Sequence, residues 1–122
     1  MVRTRIKYKS IAFFTAVAAA IAVLSLVPEL PQPNVSFHWM DKLEHLAAYG
    51  LFGASLFNAL PEGKLKGRVI TVLAVSLIFG GTIEVLQQFT GRSPEIFDLL
   101  ADFIGAAAGV FIYIFIFKSA KT

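Results

Sequence analysis

No cysteine occurs in the 122 residues, which excludes a disulfide framework, a thiolate metal site and a cysteine nucleophile. Charge is scarce as well. Only 16% of residues are Asp, Glu, Lys or Arg, against 57% hydrophobic, and the mean hydropathy is +0.72, so an ordinary soluble domain is excluded: its apolar surface would outrun any single core. The formal charge of +3 has no concentrated footprint on one amphipathic element, so nucleic acid is not an expected partner. The chain has no His-Glu-x-x-His helix, no serine in a nucleophile elbow, no internal repeat and no linker that divides it, and it reads as one membrane domain over 1–122.

What is present is apolar length. Uncharged stretches cover 11–27, 46–60, 69–83 and 103–117. At 1.5 Å per residue, 15 residues reach only about 22 Å of a roughly 30 Å hydrocarbon core, so the last three spans must extend into their polar flanks. The expected fold is an all-α membrane protein of four transmembrane helices, at about 10–27, 41–60, 69–89 and 94–117. The first run is longer than the 7 to 15 residues of a signal-peptide core, which favours a retained helix. Arg3, Arg5, Lys7, Lys9, Lys64, Lys66, Arg68, Lys118 and Lys121 fall on one side, leaving Lys42 and Arg92 on the other. The positive-inside rule then puts both termini and the middle loop in the cytoplasm. Seven acids join Lys42 and Arg92 outside for a net −5, whereas nine bases meet only Glu62 inside for a net +8.

Counted outward from the cytoplasmic ends of their spans, His45, Glu84 and Asp102 lie at one depth, with Asp41, Gln88 and Asp98 one turn further out, Gln87 between the layers and Arg92 beyond. Asp41, His45 and Tyr49 repeat at four-residue steps along one helix face. Asp98, Asp102, Gly105 and Gly109 continue a polar stripe into small residues suited to close helix packing, and Gly80 and Gly81 suggest another close approach or a kink. Simpler roles compete. Asp41 and Glu44 have the spacing of an acidic capping box, while Ser93-Pro94 marks a helix start that places Asp98 and Asp102 inside the last helix. A lone buried histidine is ordinarily a satisfied core residue, and the level shared with two carboxylates is what distinguishes His45.

These residues also carry a resemblance. The segments D-K-L-E-H-L-A-A-Y, I-E-V-L-Q-Q-F and G-R-S-P-E-I-F-D-L-L-A-D-F-I-G-A-A-A-G, spanning about 38–117, resemble the VanZ-like family of small bacterial membrane proteins. The resemblance implies a bacterial inner (cytoplasmic) membrane protein whose name-giving relatives are associated with low-level resistance to the glycopeptide teicoplanin. It implies no reaction. Asp102 stands where the family pattern usually has asparagine, which adds a carboxylate to the region.

Three functions compete. In the first, an outer-leaflet pocket of Asp41, Lys42, His45, Tyr49, Glu84, Gln87, Gln88, Arg92, Asp98 and Asp102 binds the headgroup of a membrane lipid or a lipid-linked envelope precursor, with Lys42 and Arg92 toward phosphate. In the second, an intramembrane hydrolase or transferase uses His45 as acid or base, oriented by carboxylates that also suit a hard cation. The third is a scaffold in which the polar layers only lock helices together. No motif calls for a cofactor. A homo-oligomer is compatible with every reading, and a pore is disfavoured because the inner halves of the spans show no polar track.

Overall fold

The computed structural model describes residues 7–26, 38–90 and 96–120, with side chains at 38–41 and 118–120 outside the description. Four helices account for almost all of it: α1 (Tyr8–Leu26), α2 (His38–Ala59), α3 (Leu65–Gln87) and α4 (Ile96–Ala120). The expected boundaries shift by a few residues. Helix α2 begins three residues before Asp41, which therefore lies within the first turn and does not cap it. Helix α3 begins at Leu65 and ends at Gln87, because Gln88, Phe89 and Thr90 turn back with bonds to carbonyls three residues earlier. The stretch holding Pro28, Pro31, Pro33, Arg92, Ser93 and Pro94 lies outside the described residues.

The connection after α2 is short. Pro61 follows the last turn and has no N–H to extend it, and the chain enters α3 from Lys64, whose backbone is extended. A connection of this length makes consecutive helices antiparallel neighbours. The register agrees: Lys7, just before α1, and Ser10 on it meet Asn58 near the end of α2, while Phe14 meets Phe52 further back. Helices α2 and α4 instead run parallel, since Lys42 meets Asp98, His45 meets Asp102 and Gly50 meets Gly109.

Helices α2 and α3 each pack against all three others, and the interface of α2 with α4 is the most extensive. The core centres on Tyr49, Phe52, Leu56 and Phe57 of α2, joined by Val17 and Ile21 from α1, Val72 from α3 and Val110 from α4. Phe52 meets Phe14 edge-on at 5.0 Å between ring centres and Phe79 at 4.8 Å, binding α1, α2 and α3 through one aromatic column. Facing outward are large apolar side chains such as Leu24, Ile78, Phe111 and Phe115, the arrangement of a bundle whose solvent is hydrocarbon. Exposed hydroxyls are satisfied locally: Thr15, Thr71 and Thr82 each donate to the carbonyl four residues back at 2.8 Å.

Helices α1, α3 and α4 are long and apolar enough to cross a membrane, but α2 does not qualify by composition. The physical reason is visible in the packing. The helix richest in polar groups holds the most extensive interface, with α4, and its Lys42 and His45 pair there with Asp98 and Asp102.

Candidate functional site

Backbone proximity builds the site. On α4, an added Cβ at Gly105 would lie 2.6 Å from the Leu46 carbonyl oxygen, and one at Gly109 would lie 2.0 Å from that of Gly50. On α2, a Cβ at Gly53 would come within 2.5 Å of the Ala106 oxygen. Only hydrogen fits at these crossings, so the two backbones touch and their side chains one to two turns outward are forced together. The expected Gly105–Gly109 stripe is thus an interface, with Gly50 and Gly53 as its counterpart. Gly80 also packs tightly, 3.0 Å from Leu99 and 3.3 Å from an Asp102 oxygen by the same measure, whereas Gly81 has open space.

Outward of these crossings Lys42 Nζ donates to Asp98 Oδ1 at 2.7 Å, and His45 Nδ1 lies 2.6 Å from Asp102 Oδ1. An ionised carboxylate only accepts, so Nδ1 is the donor and the imidazole presents Nε2 as its other face. That nitrogen is 3.7 Å from Asp98 Oδ2, beyond hydrogen-bond length but within strong electrostatic reach. Asp102 is 2% exposed, a burial that a carboxylate tolerates only with such a partner. The tetrad Lys42–Asp98–His45–Asp102 is therefore a continuous charged ladder along the α2–α4 seam.

Tyr49 lies one turn inward of His45, its ring parallel to the imidazole at 6.4 Å between centres. It is equally buried. Its hydroxyl has Asp102 and Glu84 as charged neighbours but makes no hydrogen bond of ordinary geometry with any described group. Glu84 thus faces this cluster from α3. Gln87 does not: its amide donates to the Ser25 carbonyl at 2.9 Å, tying the end of α3 to the end of α1. Gln88 is exposed beyond the last turn of α3, and Asp98, from the same expected layer, pairs with Lys42 and faces His45. Adjacent residues on a helix point about 100° apart, so Gln87 and Gln88 cannot share a face, which counting depth alone does not register. Arg92 and the side chain of Asp41 lie outside the described residues. Among those described, no three His, Asp or Glu side chains converge as a metal site.

A second polar node lies at the opposite end of the helices. The Asn58 amide donates to Ser10 Oγ at 3.0 Å, its carbonyl oxygen accepts from the Tyr113 hydroxyl, and Lys7 reaches its backbone carbonyl at 3.1 Å. Arg68 donates to the Phe57 carbonyl at 2.8 Å and lies 4.0 Å above the Phe57 ring. The signal was present in the sequence: Asn58 is the one amide side chain in the run 46–60.

Between the two ends an apolar groove of about 660 Å³ follows the α2–α4 seam, floored by Gly50, Gly105 and Gly109 and walled by Leu46, Ala54, Ile104, Ala108 and Ile112 among others. Its volume falls in the roughly 300–1,000 Å³ range of small-molecule sites. On α2 the row Lys42, Leu46, Gly50, Ala54 advances by four residues, so the groove lies in line with the charged ladder.

No curated protein and no solved structure matches the chain. The model of the VanZ/LLP1 family matches residues 3–118, which takes in all four helices, and the chain belongs to that family.

Proposed function

We propose that this VanZ-family membrane protein recognises the polar headgroup of a lipid or lipid-linked envelope precursor at the outer ends of α2, α3 and α4. The carrying observation is the charged ladder Lys42–Asp98–His45–Asp102 standing in line with an apolar groove. Groups buried at membrane depth are costly, and a ladder joined to a chain-sized groove offers one molecule both a polar and an apolar contact.

This reading needs four crossings. Helix α2 has 22 residues and so reaches about 33 Å, enough for a hydrocarbon core of roughly 30 Å, and it lies alongside α4 from Asp98 to Tyr113. The site residues are then Lys42, His45, Tyr49, Glu84, Asp98 and Asp102, with Asp41 and Arg92 as further members and Gln87 and Gln88 in supporting places. The basic residues put both termini and the loop around Glu62 in the cytoplasm of a bacterium, and the ladder in the outer leaflet.

Native mass spectrometry of the full chain in mild detergent tests the proposal. Wild type should retain a defined envelope lipid that folded Glu84→Gln and Asp102→Asn variants lose. Equal retention by all three would defeat it, and unfolding of both variants with no lipid on wild type would favour the scaffold. If headgroup recognition is right, the resistance association of the name-giving relatives extends here as altered teicoplanin susceptibility on expression.

One observation favours a second reading. Asp102 holds His45 through Nδ1 at 2.6 Å, the arrangement that fixes an imidazole for proton transfer at Nε2 in a hydrolase or transferase. Turnover of the retained lipid that depends on His45 but not on Lys42 would favour catalysis over binding.

A further inference from the structure

The ladder and the groove together constrain the ligand more closely than either does alone. At the outer end, the described carboxylates Asp98, Asp102 and Glu84 stand against the Lys42 ammonium and the His45 imidazole. A headgroup that is only anionic would meet Lys42 already neutralised by Asp98 at 2.7 Å, with further carboxylates behind it. A headgroup carrying both signs avoids that conflict. Its phosphate would take the Lys42 ammonium and its ammonium the Asp98 carboxylate, replacing one partly exposed ion pair by two of the same kind without leaving a buried charge unpaired.

The tail has an equally defined place. The rows Lys42–Leu46–Gly50–Ala54 on α2 and Asp98–Gly105–Ile112 on α4 each begin at one member of the ion pair and continue as groove wall or floor. From Ile104 to Phe117 the groove runs about 20 Å along α4, the length of one extended hydrocarbon chain. The glycines let the two backbones touch along the seam that the groove follows.

We infer that the α2–α4 groove seats one hydrocarbon chain of a lipid whose headgroup carries both a phosphate and a primary ammonium, with the phosphate on Lys42 and the ammonium on Asp98. The inference rests on the headgroup reading above and deepens it by fixing the charge type of the ligand and the position of its tail.

The test titrates delipidated full-length protein with phosphatidylethanolamine, N-acetylated phosphatidylethanolamine and phosphatidylglycerol, reading bound lipid by native mass spectrometry. The first two lipids differ only in the ammonium. Wild type should prefer phosphatidylethanolamine by about tenfold over the other two, as expected when a charge-assisted contact is lost. Ala108→Trp, which fills the groove from an exposed position, should lose retention of all three at unchanged helix content. Asp98→Asn should erase the preference. Equal binding of the three lipids to wild type overturns the charge assignment even if Asp98→Asn fails to fold. Undiminished binding to Ala108→Trp overturns the tail assignment, while continued loss in Glu84→Gln and Asp102→Asn would leave the headgroup reading standing. A lipid-free dimer abolished by Ala108→Trp would give the groove to a second copy and overturn the inference.

Discussion

Replacing Gly109 by alanine adds one methyl group at the tightest point of the molecule. The new Cβ would lie 2.0 Å from the Gly50 carbonyl oxygen, 2.7 Å from its carbonyl carbon and 2.8 Å from its Cα, where ordinary contact begins at 3.4 Å. All three atoms are backbone, so no side chain can swing away. Helices α2 and α4 must separate by about 1.4 Å, and even a 0.5–1 Å gap forfeits roughly a quarter to a half of each dispersion contact along the seam. Overpacking of this kind costs about 1–3 kcal/mol, or more where backbone must move. Alanine returns at most about 1 kcal/mol through its better helix propensity, so the net destabilisation is about 0–2 kcal/mol against wild type, larger where backbone must move, and about 1–3 kcal/mol against a glycine-to-alanine change that meets no obstacle.

Gly81→Ala is the matched control, because it gains the same propensity with nothing within 4 Å to obstruct it. Denaturant titration of the detergent-solubilised protein, followed by circular dichroism, should rank the variants Gly81→Ala, wild type, Gly109→Ala in falling stability. The separation also carries outward. Asp102 lies two turns from Gly109, so widening the seam should stretch the 2.6 Å bond to His45 and weaken lipid retention along with stability. A Gly109→Ala protein as stable as Gly81→Ala would refute the close α2–α4 approach and the ladder geometry that depends on it.

Further consequences can be measured independently. His45→Ala removes the partner of buried Asp102 and should cost about 1.5–3 kcal/mol in the same titration, with less loss in His45→Gln if the glutamine amide reaches the carboxylate. Asn58→Leu deletes the node joining α1, α2 and α4 and should cost about 0.6–2 kcal/mol while leaving lipid retention intact; loss of lipid with unchanged stability would contradict a structural role. Gln87→Leu should speed amide exchange at the end of α1 near Ser25 without altering lipid selectivity, and unchanged exchange would show that this tie is dispensable. Reporter fusions at Lys64 and at residue 122 should both read cytoplasmic, and an outward signal at either would reverse the proposed orientation.

The residues of the ladder were legible in the sequence, but their pairing was not. Depth along a helix is linear arithmetic at 1.5 Å per residue, which is why His45 and Asp102 could be set at one level and are found bonded. Rotation about the helix axis is a different variable. Helices α1, α3 and α4 are apolar nearly all round, so no hydrophobic stripe marks the face that points inward. The sequence therefore offers both Gln87 and Gln88 to the pocket, and both Gly80 and Gly81 to close packing, although packing separates the members of each pair.

The sequence by itself determined a helical chain with four apolar runs, a set of polar residues counted to similar depths, and a close-packing stripe at Gly105 and Gly109. These follow from local covalent geometry and from transfer of side chains between water and hydrocarbon, both properties of short segments. Only the tertiary structure decided that the most polar helix, α2, makes its most extensive interface with α4, that Asp98 answers Lys42, that Gln87 reaches back to Ser25, and that the glycine seam lines a groove. Those are choices among helix rotations and neighbours, and they are settled by which backbones can approach and which buried charges must meet, conditions that exist only once all four helices are in place.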